Sequence, residues 1–147
     1  MICNPGNPTG YLYTLEELNA LRELVLKHDL YLIADEVYRE FAYDEHFHTS
    51  ILNLEGLEDN AIVIDSVSKR YSMCGARIGC VISRNSALNS TMLKFAQAHL
   101  SPPTMAQIAA EAALDVEPEY YQEVKDEYTQ RRNILRLAIL DILKPWL

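Results

Sequence analysis

Lys69 lies in the segment DSVSKRYSMCGARIG, residues 65–79, four residues after the apolar run NAIVID. A lysine in this position can hold a phosphate, pair with a carboxylate, or form an imine with a carbonyl group. An imine-forming lysine needs a neutral amine, which burial or nearby positive charge favours. Arg70 and Arg77 are close enough in sequence to supply that charge. Lys69 alone leaves these three kinds of chemistry open.

The residues around this lysine are of types that bind anions. Arg77 lies between Gly75 and Gly79, where small residues let a ligand approach the backbone. Its planar guanidinium suits a phosphate, because it binds oxyanions with two hydrogen bonds. Ser66 and Ser68 can donate hydroxyl groups to the same anion, although serines here are equally typical of the turn before a helix. The segment therefore favours a phosphate site without requiring one.

Three other polar side chains lie in two further segments. Asn7 is part of NPGNPTG, a loop of turn residues, and its amide can donate to a ligand oxygen. Asp35 follows the apolar run LYLIA and is either an exposed strand-end residue or the partner of a cationic ring nitrogen, since an unpaired buried carboxylate is costly. Tyr38 comes three residues later and either reaches the same ligand or packs in the core.

The elements that position these residues are short apolar runs that alternate with helical patterns. LYLIA, AIVID and IGCVIS, at residues 30–34, 61–65 and 78–83, are typical of strands that are buried on both faces. TLEE predicts a helix start, because Thr14 can cap the first turn and Glu17 can reach back to the cap. Helices are expected at residues 14–28, 85–99, 104–115 and 118–143.

This alternation predicts an α/β fold with a mostly parallel sheet. In such sheets ligands bind beyond the carboxyl ends of the strands. NPGNPTG, DEVY and DSVSK each lie at the carboxyl end of an apolar run that is expected to be a strand. We therefore expect the three segments to contribute to one site.

The composition is that of a globular protein, with 49% hydrophobic and 23% charged residues. A formal net charge of −8 argues against nucleic acid or an anionic membrane as a partner. No apolar run approaches the roughly 20 residues that a membrane span needs, and the first residues do not resemble a secretory signal. Three scattered cysteines without CxxC spacing are typical of reduced, buried thiols in the cytoplasm. The histidines of HFH, residues 46–48, are interpreted as solvated rather than metal-binding.

Together the candidate residues describe a ligand with a basic ring nitrogen, a phenolic oxygen, a phosphate and an aldehyde, which is pyridoxal 5′-phosphate. NPGNPTG, ADEVY and SVSKRYSMCGARIG, in this order, resemble the signature segments of the class I/II aminotransferases. These are fold type I, aspartate aminotransferase-like enzymes that depend on pyridoxal phosphate. The resemblance covers residues 1–115 and the long helix that follows.

The resemblance implies part of a three-layer α/β sandwich. Residues 1–115 would form the C-terminal half of the large, cofactor-binding domain, and residues 116–147 a long helix leading toward a small C-terminal domain. The opening strand is only three residues long and the last helix has little to pack on. We therefore expect the chain to be an internal piece of a longer protein.

The resemblance also implies a role for each candidate residue. Lys69 would form the imine with the cofactor and move the proton between the substrate's α-carbon and the cofactor's C4′. Asp35 would pair with the pyridine nitrogen and keep it protonated. Asn7 and Tyr38 would hydrogen-bond the phenolic oxygen.

Ser66 and Arg77 would hold the phosphate by the same resemblance. The chain departs from many members at Ala76, where a bulky aromatic residue is common. Family members also have an upstream phosphate loop, an aromatic residue that stacks on the ring and a downstream arginine for the substrate carboxylate. These have no counterpart in the 147 residues, so we expect the isolated chain to retain the cofactor poorly and to be inactive.

The activity implied is transfer of an amino group from aspartate or a similar amino acid to a 2-oxo acid, by a homodimeric protein. Carbon–sulfur lyases and cyclopropane-forming synthases share these cofactor residues and remain alternatives. So do transcription regulators that join an aminotransferase-like domain to a DNA-binding one. A phosphate-binding module without catalysis is a further alternative, against which Lys69 argues.

Overall fold

A mostly parallel sheet of four strands organises the chain. The computed structural model describes residues 1–43 and 46–144. The strands are β1 (Ile2–Cys3), β2 (Leu32–Asp35), β3 (Ala61–Ser66) and β4 (Gly79–Ile82). The helices are α1 (Leu15–His28), α2 (Val67–Arg70), α3 (Ser86–His99), α4 (Thr104–Ala112) and α5 (Pro118–Leu143). This confirms the predicted α/β fold.

The strands lie in sequence order across the sheet. β1, β2 and β3 run parallel, whereas β4 pairs antiparallel with β3. Asp35 at the end of β2 is in register with Cys3 of β1 and Ile64 of β3. The carboxyl ends of the three parallel strands therefore meet at one edge of the sheet, as the sequence predicts.

Helix α1 connects β1 to β2 and covers one face of the sheet. The predicted capping box is present, since Thr14 Oγ1 accepts from the Glu17 backbone N–H at 3.2 Å and Glu17 Oε2 accepts from the Thr14 N–H at 2.8 Å. Leu18 and Val25 are the buried residues of α1. They belong to an apolar core that comprises Leu18, Val25, Leu32, Ala34, Ile51, Leu54, Leu57, Ala61 and Val63.

Strand β4 differs from the prediction for IGCVIS. All four of its residues are exposed, so the expectation of a strand buried on both faces is wrong here. β4 is the edge strand of the sheet, and a cavity of about 720 Å³ lies between it, the end of β3 and α3. The cysteines also depart from the prediction of burial, since Cys74 and Cys80 are exposed and Cys3 is half-buried.

The C-terminal part of the described chain is helical. The stretch predicted as a helix over residues 104–115 ends as α4 at Ala112 and continues as a 3₁₀ turn, Ala113–Asp115. α5 begins with Pro118 in its first turn, as expected. The last three residues of the predicted 116–147 segment lie outside the described residues. Within residues 1–43 and 46–144, no helix is long and apolar enough to cross a membrane.

Candidate active site

The loop that follows β1 is held by a buried asparagine. Asn4 is fully buried, accepts from the Tyr13 backbone N–H at 3.1 Å and donates to the Thr49 carbonyl at 3.4 Å. Gly10 closes the loop with a φ of 70°, a conformation that suits glycine. The loop is thereby fixed at both ends and presents Asn7 between them. Sequence reasoning chose Asn7 and missed Asn4, although both belong to the same NPGNP segment.

Three of the predicted site residues meet at one cavity. Asn7 Nδ2 donates to the Tyr38 hydroxyl at 3.3 Å, and Lys69 Nζ lies 5.8 Å from the centroid of the Tyr38 ring. That last distance is within the range of a cation–π contact. The cavity has a volume of about 540 Å³, and all three residues line it. Lys69 is itself exposed, so its amine is accessible to a ligand in this cavity.

Aromatic side chains form another wall of the same cavity. Phe41, Tyr43 and Tyr128 line it. The rings of Phe41 and Tyr128 pack edge to face, with centroids 5.5 Å apart. This contact brings α5 to the site. Sequence reasoning did not single out Tyr128 as a candidate site residue.

Asp35 lies at the carboxyl end of β2, between the ends of β1 and β3. Its Oδ1 accepts from the Val37 backbone N–H at 3.2 Å, which fixes the turn leading toward Tyr38. Among the described residues its Oδ2 has no hydrogen-bond donor. One carboxylate oxygen of Asp35 thus has a structural role and the other is available to a ligand.

The two predicted phosphate ligands lie at the neighbouring cavity, the one beside β4. Ser66 and Arg77 line it, and Ser68 lines both cavities. Ser66 Oγ also caps α2 by accepting from the Ser68 N–H at 3.1 Å. The structure therefore brings five of the six predicted residues together as two adjoining groups, with Ser68 lining both cavities, whereas Asp35 lines neither.

Arg77 has the backbone geometry of a functional loop. Its φ is 56° and that of Ser72 is 53°, both in the left-handed region that non-glycine residues rarely adopt. Such strained positions cluster at ligand sites. The Arg77 guanidinium is exposed, donates to the Cys74 carbonyl at 3.1 Å and forms no ion pair with the described residues. Its charge is therefore available to an anion.

Arg70 does not provide the free charge that its position beside Lys69 suggested. Its guanidinium contacts Asp65 at 2.8 Å and Glu40 at 3.1 Å. Burial by itself lowers the pKa of Arg70, but the charges of Asp65 and Glu40 outweigh burial and raise the pKa overall. Two carboxylates compensate the charge of Arg70, and sequence reasoning missed both of them.

Glu36, the residue after Asp35, and His48 form a buried polar pair. Glu36 is fully buried and accepts from the Ile51 backbone N–H at 2.9 Å. Its other oxygen lies 3.7 Å from His48 Nε2, too far for a hydrogen bond, and neither atom has a partner among the described residues. Burial raises the pKa of Glu36 and lowers that of His48, because it disfavours both charged forms. The interpretation of His48 as solvated is wrong, whereas His46 is exposed.

The two adjoining cavities offer one accessible amine, two neutral hydrogen-bond donors and one cation–hydroxyl pair. The Asp35 carboxylate lies at the end of β2, outside the lining of both. This set can bind a ligand that is anionic at one end and polar and aromatic at the other. Among the residues that the structure describes, no group of three or more histidine, cysteine or acidic side chains is placed to hold a metal ion.

Comparison with known proteins gives a consistent result. The family model for aminotransferase class I and II matches residues 1–145. The chain is 43% identical over 143 residues to YugH of Bacillus subtilis, and 33% identical over the same length to aspartate aminotransferase of that organism. Both matches cover 97% of this chain and 36% of the relative. The chain therefore spans about a third of the length of these curated relatives.

Solved structures show the same partial match. An aromatic aminotransferase from Pyrococcus horikoshii superimposes with a TM-score of 0.82 at 33% identity, over 98% of this chain and 38% of that one. An aspartate aminotransferase from Thermotoga maritima gives a TM-score of 0.79 at 34% identity, over 98% and 36%. The described fold is thus similar to a part of these larger enzymes.

Proposed function

Since the chain belongs to the class I and II aminotransferase family, we propose that it carries the lysine-bearing part of an aminotransferase site that uses pyridoxal 5′-phosphate. One observation carries the proposal. Asn7, Tyr38 and Lys69 come from three separate segments and line one cavity. We place residues 1–115 in the C-terminal half of the cofactor-binding domain, with residues 116–147 leading on from it.

The residues present fit this cofactor by the chemistry of their donors. Lys69 offers an accessible amine to the aldehyde, and the Asn7–Tyr38 pair offers an amide and a hydroxyl to the phenolic oxygen. The available oxygen of Asp35 suits a protonated ring nitrogen. When bound, the cofactor withdraws electrons from the substrate's α-carbon.

The phosphate end of the cofactor fits the second group. The exposed guanidinium of Arg77 and the Ser66 hydroxyl line the adjoining cavity, and charge-assisted bonds from arginine suit a phosphate. Ser68, which lines both cavities, lies between the two ends. The cation needed for the phosphate is thus separate from the amine needed for the aldehyde.

The protein's own part in the reaction is the transfer of a proton. The Lys69 amine is the only candidate base among the site residues that is both accessible and at the cavity, so we assign it removal of the proton from the substrate's α-carbon. Asp35 would keep the ring nitrogen protonated. The aromatic wall of Phe41, Tyr43 and Tyr128 would exclude water from the cavity.

We further propose that the substrates are an amino acid, aspartate or one similar to it, and a 2-oxo acid. The names of the relatives support aminotransfer over the lyase, synthase and regulator alternatives, since several of them are aspartate aminotransferases and one is an aromatic one. A homodimer is proposed on the family resemblance. A cytoplasmic location is proposed on the free cysteines.

The test is an absorbance spectrum of the chain mixed with pyridoxal phosphate, before and after borohydride reduction. We expect a visible band that reduction abolishes, with peptide mass spectrometry locating the fixed adduct on Lys69. Lys69→Ala should lose the band, whereas Lys94→Ala, which removes an exposed lysine on α3, should keep it. An adduct spread over several lysines, or no adduct, would overturn the proposal for this chain.

Substrate class is tested on a chain of full family length that contains residues 1–147, because we expect these residues by themselves to be inactive. Addition of aspartate should shift the band of that chain, and the matching 2-oxo acid should restore it. Tyrosine serves as the comparison, because the aromatic wall makes it the natural competitor. A larger shift with tyrosine than with aspartate would contradict the aspartate assignment and leave the cofactor assignment standing.

A further inference from the structure

The two turns that carry Lys69 and Tyr38 have no buried anchor of their own. Lys69 lies in α2, a helix of four residues of which none is buried. Tyr38 directly precedes the 3₁₀ turn Arg39–Phe41, which also has no buried residue. Helices this short are unstable in isolation and depend on tertiary contacts. Phe41 does pack on Tyr128, but burial of apolar residues does not fix either turn, so other contacts must contribute to both.

Four charged side chains connect these turns in a closed ring. Asp65 Oδ2 lies 2.8 Å from Arg70 Nη2 and 3.2 Å from Arg39 Nη2. Glu40 Oε1 lies 3.1 Å from Arg70 Nε and 3.3 Å from Arg39 Nε. We call Asp65, Arg70, Glu40 and Arg39 the charge ring. Positive and negative members alternate around it, so its net charge is zero.

One side of the charge ring is buried and the other is open to solvent. The side chains of Asp65 and Arg70 are 8% and 11% exposed, whereas that of Glu40 is 36% exposed. Asp65 is also bound to the backbone, because its Oδ1 accepts from the Ser66 N–H at 2.8 Å. The more buried members thus belong to β3 and α2, and the more exposed ones to the turn after β2.

The charge ring is not well explained as a source of stability alone. Removing two ion pairs from water costs free energy that is recovered only when their hydrogen bonds are complete. Here Arg70 Nε is buried and its 3.1 Å contact with Glu40 does not have the geometry of a hydrogen bond. An incomplete buried network is a weak stabiliser, which points to another reason for its presence.

That reason lies in the sequence neighbours of its members. Asp65 directly precedes Ser66, and Arg70 directly follows Lys69. Arg39 directly follows Tyr38. Each of three ring members is thus joined by one peptide bond to a residue of the candidate site. Fixing the ring fixes the spacing of those three backbones.

We propose that the charge ring is a positioning device, and that Asp65, Arg70, Arg39 and Glu40 hold Lys69 at its working distance from Tyr38. As far as it concerns cofactor binding, the proposal rests on the function proposed above. The geometric part does not, because the 5.8 Å separation of Lys69 Nζ from the Tyr38 ring is a property of the chain. Opening the ring should change that separation without removing any residue of the site.

The test compares variants that open the ring at different corners. Glu40→Gln removes the charge of the more exposed carboxylate, and Asp65→Asn removes the charge of the buried one. Asp65→Glu keeps the charge and serves as the conservative rescue. Asp141→Asn is the matched control, since it breaks an exposed ion pair with Lys144 far along α5. Circular dichroism establishes whether each variant is folded. If Asp65→Asn does not fold, the test of the positioning role rests on Glu40→Gln.

The first readout needs no cofactor. Competitive labelling with acetic anhydride measures the reactivity of the Lys69 amine relative to that of Lys94, an exposed lysine in the same chain. We expect Glu40→Gln and Asp65→Asn to change this ratio by about threefold or more, because small displacements of a reactive group have large effects on rate. Asp65→Glu should restore part of the change, and Asp141→Asn should leave the ratio unaltered.

The second readout is the Kd for pyridoxal phosphate, which we expect to rise about tenfold when the ring is opened. The two readouts separate the proposals. A wild-type chain that binds no cofactor, with ring variants that still alter Lys69 reactivity, would refute the proposed function and support the positioning role. A wild-type chain that binds at Lys69, with folded ring variants that match it in both readouts, would refute the positioning role alone.

Discussion

At the scale of single residues, the candidate site depends on which charges are compensated and which are not. Arg70 and Arg77 lie on either side of the same loop, and their residue type and sequence position do not show which of them is compensated. The structure does, because Arg70 contacts two carboxylates, whereas Arg77 donates to the Cys74 carbonyl and has no ion pair with any residue that the structure describes. A compensated arginine positions its neighbours, and an uncompensated one is able to bind an anion.

This difference gives a prediction for Arg77. Arg77→Gln should weaken binding of pyridoxal phosphate by about tenfold or more, since a hydrogen bond to a charged group contributes about 1.5–3 kcal/mol. Binding of pyridoxal, which has no phosphate, should be unchanged. Absorbance titrations with both ligands measure the effect. Arg84→Gln, at an exposed arginine just after β4, is the control, and an equal loss for both ligands would contradict the phosphate role.

The buried pair of Glu36 and His48 makes stability depend on pH in two opposite ways. Burial raises the pKa of Glu36 above 4.5, so the folded chain holds this proton more tightly than the unfolded chain. The stability from this group is complete below pH 4.5 and is lost as pH rises through the folded pKa. Burial lowers the pKa of His48 below 6.5, so its contribution is complete above pH 6.5 and is lost as pH falls.

Glu36→Gln isolates the first of these effects. Glutamine matches the protonated acid in shape and keeps an oxygen for the Ile51 N–H, so the variant should equal the wild type near pH 4. As pH rises from 4.5 to the folded pKa of Glu36, the variant should gain stability relative to the wild type, by up to about 1.4 kcal/mol for each pH unit in that interval. Urea unfolding between pH 4 and 8 measures this. Glu23→Gln on the exposed side of α1 is the control, and a constant difference across the range would refute the assignment.

At the scale of elements, the close approach of β4 to the end of β3 shapes the cavity beside β4. Gly79 is in register with Ser66. A Cβ atom at Gly79 would lie 3.0 Å from the Asp65 carbonyl oxygen, whereas one at Gly75 would meet nothing within 4 Å. The two glycines that flank Arg77 therefore have different reasons for being glycine, although the sequence presents them as equivalent.

We predict that Gly79→Ala destabilises the chain by about 1–3 kcal/mol, as expected of an overpacked position against backbone. Gly75→Ala should lie within about 0.5 kcal/mol of the wild type, because an exposed alanine at an unstrained position removes freedom mainly from the unfolded chain. Chemical denaturation of both variants measures the difference. Equal effects at the two positions would show that β4 yields to the added methyl group.

The sequence predicts most of these elements for local reasons. Thr14 and Glu17 define the start of α1 through bonds within one turn, and Pro118 defines the start of α5. What the sequence does not predict depends on contacts between distant segments. The charge ring joins Arg39 to Asp65 across 26 positions, and no local pattern marks such a pair.

The candidate site shows the same limit. Lys69, Asn7 and Tyr38 are found from residue type and strand-end position, and they do meet. The contribution of Tyr128 is not found in this way, because it depends on how α5 crosses the 39–41 turn. The solvation assigned to His48 fails for a related reason, since a polar neighbourhood in sequence conceals a buried position beside Glu36.

At the scale of the whole molecule, several large apolar side chains are exposed on β4, α3 and α4. Val81 and Ile82 of β4 are exposed, as are Leu93 and Phe95 of α3 and Ile108 of α4. An edge strand with apolar, unpaired positions can pair with another chain, and extended apolar patches mark interaction surfaces. The net charge of −8 opposes such association by repulsion between copies.

These two forces give a prediction about salt. The purified chain should associate more strongly as ionic strength rises, because screening removes the repulsion while the apolar contact remains. Val81→Lys places a charge on the edge strand and should shift the chain toward monomer at every salt concentration. Leu24→Lys, at an exposed leucine on α1, should not. Sedimentation velocity at several protein and salt concentrations measures the distribution. A chain that remains monomeric at high salt, or two variants that behave alike, would show that β4 does not contribute to association, since only one of the two substitutions lies on the open edge of the sheet.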